Sequence, residues 1–180
     1  MSELVGAGGG REQVPIAVGE GFEGAGSSMA HVNVVLGDRQ GPMGAAFAQA
    51  LASPVSGHAP FMVVARPGLP VRPSTLFVNK SPIVSEVHAS LTWGAAQAGI
   101  AAGVVEAVRS GLLTPRVAEA AIAIAAVWVD PEATAAHQDL VYENNYVAVL
   151  AALAGAVHDR PTPYEVVSDD GGIWNPFYRP

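Results

Sequence analysis

Along this chain the spacing of apolar residues switches repeatedly between a period of two and a period near 3.6, and each switch marks a new element. "VPIAVGEGF" (14–22) and "AHVNVVLG" (30–37) predict two strands. Successive strand side chains point to opposite faces, so Val32, Val34 and Leu36 share one face and His31, Asn33 and Val35 the other. "GPMGAAFAQALAS" (41–53) predicts a helix with Pro42 near its first turn and Phe47, Ala50 and Leu51 on one face. "FMVVARP" (61–67) is a third strand, the Pro-punctuated "GLPVRPS" is extended, and "STLFVNKSPI" (74–83) is a fourth strand. A long helix of small residues follows over 84–111, stopped by Gly111.

"VAEAAIAIAAVWVD" carries two signals, since its alanines favour helix while Ile-Ala-Ile-Ala and Val-Trp-Val suit a buried strand. A short helical turn after Thr114-Pro115 and then a strand over 121–129 accommodates both. The segment 134–159 predicts a strong helix, capped by Thr134, with Leu140, Val147, Leu150 and Ala154 on one stripe. These elements suit an α+β, two-layer sandwich in a single domain over 13–160. A flexible, Gly-rich arm (1–12) precedes it, and a tail rich in Pro and Gly (161–180) follows. "GAGGGR" in the arm is not a dinucleotide fingerprint, because the third glycine of G-x-G-x-x-G would have to be Arg11 and no useful strand precedes it.

Composition narrows the function. The 180 residues are 50% hydrophobic and only 14% charged, enough to bury a substantial core and to favour self-association. A net charge of −7 with nine scattered basic residues argues against nucleic acid. Without cysteine there is no disulfide, thiolate nucleophile or Cys-based zinc site. The start lacks the charged and apolar regions of a secretion leader, and no run of about 18 uninterrupted apolar residues suggests a membrane span. A soluble cytoplasmic protein is expected.

The candidate chemistry is sparse. His58, His88, His137 and His158 have no H-x-x-x-H or H-x-H spacing, so no metal site is expected, and no G-x-S-x-G anchors a hydrolase triad. His31 and Asn33, side by side on an apolar strand, either line a cleft or satisfy each other in a core. Lys80 is the only lysine and shares a strand face with Leu76, Val78 and Pro82. It either snorkels to an edge or points its charge at an anion or ligand. Gln97 is the sole polar group in "WGAAQAGIAAG", where small neighbours admit either another backbone or a flat ligand.

Taken together, "MAHVNVVLG", "FMVVARPGLPVRPSTLFVNKSPI", "WGAAQAGIAAGVVEAV", "AVWVDPEA", "YENNYVAVLAAL" and the terminal "NPF" resemble the formaldehyde-activating enzyme family. The resemblance covers about residues 14–158 plus the tail motif. It implies a mixed β-sheet with helices packed on one face and βαβ units. It also implies a cytoplasmic homopentamer that binds pterin between subunits. The implied reaction is the condensation of formaldehyde with tetrahydromethanopterin, a co-substrate rather than a tightly bound cofactor, to a methylene derivative and water.

Carried over by motif, the catalytic histidine falls on His31 and substrate contacts on Met62, Lys80 and Gln97. Asn33 and Pro82 stand where the family has an aspartate and a threonine, and Ala98 where well-studied members have a second histidine. A carboxylate at position 33 would raise the imidazole pKa, which an amide does not. These departures leave an alternative reading, a non-catalytic protein that binds or senses formaldehyde or a one-carbon adduct.

Overall fold

A computed structural model of the chain describes residues 14–177, so the arm expected at 1–12 lies outside the described residues. Strands β1 (Ala17–Glu23) and β2 (Ala30–Asp38) form an antiparallel hairpin, followed by helix α1 (Pro42–Ala52). Four short strands come next: β3 (Phe61–Met62), β4 (Val64–Arg66), β5 (Leu69–Pro70) and β6 (Ser74–Asn79). Helix α2 (Glu86–Ser90) runs through a π-helical stretch, Leu91–Ala96, into α3 (Gln97–Arg109). Then come α4 (Pro115–Ala120), β7 (Ala121–Trp128), α5 (Gln138–His158) and α6 (Pro163–Ser168).

The main sheet has the order β1-β2-β7-β6-β3. Only β6 and β7 are parallel, joined by the α2–α3 crossover, so the α+β fold has the mixed sheet and the βαβ unit that were expected. α3 and α5 cover one face, burying Val32, Val34 and Leu36 of β2 with Phe77 of β6 and Ala123, Ala125 and Val127 of β7. α1 instead lies at one end of the other face, where Met43 fills the space above Gly37.

The tightest packing is between α5 and its neighbours. A Cβ on Gly19 or Gly21 would overlap the carbonyl oxygens of Ala152 or Ala148, so the α5 backbone rests directly on β1. On its other side α5 is approached as closely by α3, where a Cβ on Gly99 would meet the Tyr142 carbonyl.

This contact corrects the expected stripe on α5. The buried residues are Val141, Asn145, Ala148, Val149, Ala152, Leu153 and Ala156, while Leu140 and Val147 are 48% and 42% exposed. The backbones approach too closely for bulky side chains at the β1 contact, so Ala148 and Ala152 face the strand there while Leu140 and Val147 turn away. In α1 likewise, Met43 is the buried anchor and Leu51 is exposed.

The third strand is split at Val63 into β3, which pairs with β6 in the main sheet, and β4, which pairs with β5 in a separate two-stranded sheet. The fourth ends at Asn79, whose buried amide donates to the carbonyls of Gly57 and Ser81 and turns the chain. α6 lies within the segment read only as a tail. Its start is written in the sequence as Thr162-Pro163-x-Glu165, a capping box with both reciprocal bonds formed. The helical stretches Glu86–Arg109 and Ala135–His158 are long and apolar enough to cross a membrane by composition. Both carry faces buried in the fold, which accounts for their apolarity.

Gly21→Ala should lower stability by roughly 1–3 kcal/mol through overpacking against the α5 backbone. Gly94→Ala, which meets nothing within 4 Å, should cost nothing. Urea denaturation midpoints of the two variants check this contrast, and equal midpoints would remove the close approach as its cause.

Candidate active site

The sheet face opposite α3 and α5 presents the alternate residues of each strand. On β1, Glu20 and Phe22 point outward while Gly19 and Gly21 hold α5, and on β2 His31 and Asn33 point outward while Val32 and Val34 enter the core. In register, His31 has Phe22 on one side and Trp128 of β7 on the other, and Asn33 stands directly opposite Glu20. The Phe22 and His31 rings meet edge-on at 6.3 Å. Glu20, diagonal to His31 across the hairpin, brings Oε1 to 3.1 Å from His31 Nε2.

Lys80 approaches from the far side. Its N–H donates to the Val127 carbonyl at 2.8 Å, so the backbone stays in line with β7 beyond the end of β6. Its side chain spans β7, which separates β6 from β2, and Nζ donates to the His31 carbonyl at 3.3 Å. Burial pushes the ammonium pKa down to about 8, against the opposing pull of Glu20. The imidazole pKa is lowered as well, first by burial and then by the Lys80 charge, while the Glu20 carboxylate works in the opposite direction.

A cavity of about 600 Å³ opens over His31 and Glu20. Phe22, Met29 and Trp128 form its floor, and the C-terminal segment Trp174–Phe177 supplies the opposite wall. Phe177 and Trp128 meet edge-on at 6.4 Å. The aromatic tail therefore covers the face that carries His31.

Met62 and Gln97 lie elsewhere. They line a second cavity of about 400 Å³ with Phe61, Val64 and the exposed Trp93, between the outer strands and the π-helical stretch. Gln97 Oε1 accepts the Val64 N–H at 2.7 Å, so this glutamine also fixes the start of β4. Pro82 is exposed beside Gly57 and lines neither cavity. Of the expected site residues, the single chain thus brings His31, Asn33 and Lys80 to one face and Met62 and Gln97 to another place.

Glu20 and Trp128 were not among the site residues read from the sequence. Glu20 was legible as the outward polar position between two glycines of a half-buried strand. The reach of the tail back to β7 had no local signal. Three of the remaining histidines bond to the backbone: His58 Nδ1 to the Asn79 carbonyl, buried His88 Nε2 to the Val129 carbonyl, and His137 Nδ1 to the Thr134 N–H. Among the described residues no group of three or more His, Asp or Glu could hold a metal ion.

The model of the family described as formaldehyde-activating enzyme (Fae) matches residues 18–178. The chain is 38% identical over 160 residues to a 5,6,7,8-tetrahydromethanopterin hydro-lyase of Methanosarcina barkeri, covering 89% of each protein. It is also 38% identical over 144 residues to a bifunctional enzyme Fae/Hps of Methanococcoides burtonii, covering 80% of this chain and 36% of that one. The corresponding bifunctional enzyme of Archaeoglobus fulgidus is 33% identical over 160 residues. The chain thus spans the hydro-lyase almost fully and a minor part of the bifunctional relatives.

Because Lys80 is the only lysine, its titration is directly readable. Reductive methylation with ¹³C-formaldehyde should give one side-chain resonance that titrates near 8 rather than near the ordinary lysine value of about 10.4. A midpoint at the ordinary value would place the ammonium in open water.

Proposed function

The chain belongs to the formaldehyde-activating enzyme family, and on that premise we propose that it condenses formaldehyde with tetrahydromethanopterin, or a related amine acceptor, as a hydro-lyase. The observation that carries the reading is a half-buried histidine, His31, held in an apolar-walled cavity between a carboxylate and an ammonium. Formaldehyde adds to one nitrogen of the acceptor to give a carbinolamine. Protonated His31 delivers a proton to the carbinolamine oxygen, the C–O bond breaks, and water leaves an iminium carbon. The second amine then closes on that carbon and its proton returns to the imidazole. A side chain with an unperturbed pKa near 6.5 can make both transfers at neutral pH.

The rest is positioning, since holding the second amine beside the iminium replaces a bimolecular step. Lys80 and Asn33 orient the acceptor on the His31 face, with the Trp174–Phe177 wall excluding water. Met62 and Gln97 serve the same reaction from a neighbouring subunit of a homopentamer, the acceptor lying between the two copies. Their distance from His31 within one chain and the exposed apolar residues of α5 support this assembly. Pro82 contributes a rigid apolar edge there and no hydrogen bond. The protein acts in the cytoplasm, with neither metal nor tightly bound cofactor. A non-catalytic binder is not favoured, because the similar protein that the chain spans almost fully is named a hydro-lyase.

Mixing the protein with formaldehyde and tetrahydromethanopterin should accelerate the absorbance change of condensation over the uncatalysed rate. His31→Ala should remove that acceleration, by about 10²–10⁴-fold for loss of a general acid, with the circular dichroism spectrum unchanged. Near-full turnover in that variant would take His31 out of the mechanism. Trp174→Ala combined with Phe177→Ala should raise KM several-fold, and an unchanged KM would leave the tail without a part in binding.

A further inference from the structure

We propose that Glu20 is the positioning carboxylate of this site, engaging His31 at Nε2 from the neighbouring strand and leaving Nδ1 as the nitrogen that exchanges the reacting proton. The inference rests on His31 being the acid of the proposed reaction. It starts from the register of the hairpin. Asn33 lies two residues beyond His31 on the same face and is neutral, and the residue directly across from it is Glu20. A carboxylate on either strand reaches the same imidazole, because diagonal neighbours of an antiparallel pair are within range of a long side chain. Here it is β1 that provides the charge, 3.1 Å from Nε2.

The charges around the imidazole define what Glu20 does there. Glu20 faces it from β1 and Lys80 from the end of β6, while β7 and the C-terminal segment present uncharged Trp128, Asn175 and Phe177. Burial and the Lys80 ammonium both favour neutral imidazole, and Glu20 is the opposing influence. The pair is partly exposed, His31 by 41% and Glu20 by 56%, so it adds little to stability. What it decides is protonation and tautomer. With Nε2 paired against the Glu20 carboxylate, the proton that the cation exchanges is the one on Nδ1. That proton passes to the carbinolamine oxygen as the C–O bond breaks to release water, and Nδ1 recovers a proton from the second amine as the new C–N bond forms. The contact between Nε2 and Glu20 persists throughout and holds the ring.

The test uses Glu20→Gln, which keeps shape and hydrogen-bonding capacity but not charge. The His31 imidazole resonance, identified by its loss in His31→Gln, should titrate at lower pH in Glu20→Gln than in the unaltered protein. The falling limb of kcat/KM should move to lower pH with it. Glu20→Gln combined with Asn33→Asp should restore both, and Asn33→Asp alone should move both to higher pH. A His31 midpoint that Glu20→Gln leaves in place overturns the inference, whatever the turnover. A structural role for Glu20 would lower kcat at every pH without moving the limb, and that result overturns it too. Absence of turnover in the unaltered protein would instead overturn the proposed reaction, which the imidazole titration reads separately.

Discussion

The close contact between the α5 backbone and β1 is the constraint from which the rest of the site follows. Gly19 and Gly21 let the carbonyls of Ala152 and Ala148 come down onto the strand, and no residue with a Cβ fits in their place. The residue between them, Glu20, must then project from the other side of the sheet. One packing requirement on the helical face therefore sets the position of a charge on the open face. The hairpin register carries this through to β2, since β1 is locked by α5 and β2 is locked by its pairing to β1.

The open face combines two effects that usually oppose each other. Aromatic walls and the tail segment reduce the contact of His31 with water, and Lys80 is itself half-buried, which favours the neutral form of each. The Glu20 carboxylate limits that loss of charge on each of them. Glu20 thereby favours the protonated imidazole, the form that general acid catalysis requires. The neutral amide at Asn33 is compatible with this arrangement, because an aspartate there would stand directly opposite Glu20 as a like charge.

The second cavity has a different origin. The π-helical stretch before α3 carries Trp93 on its exposed side, and Gln97 at the start of α3 is tied to the β4 backbone. Irregular helical turns of this kind occur frequently at functional sites. Within one chain this cavity and the His31 face share no lining residue. Self-association is the arrangement in which both could contact one ligand.

The sequence by itself determined the order and type of most elements, because the periods of two and 3.6 record which faces must be buried. It placed His31 and Val32 on opposite faces of their strand, and the family motifs singled out His31, Lys80 and Gln97. On alanine-rich α5 only Leu140 and Val147 stand exposed against expectation, because the contact with β1 is made by small residues, which give little hydropathy contrast. Only the tertiary structure decided that Glu20 reaches His31, that Lys80 crosses β7 to the same residue, and that Trp174–Phe177 lies over both Trp128 and the imidazole. It likewise separated Met62 and Gln97 from His31. These are relations between residues far apart in the chain or on different strands. Local periodicity constrains the face on which a side chain stands, but register and the path of the chain fix what it meets there.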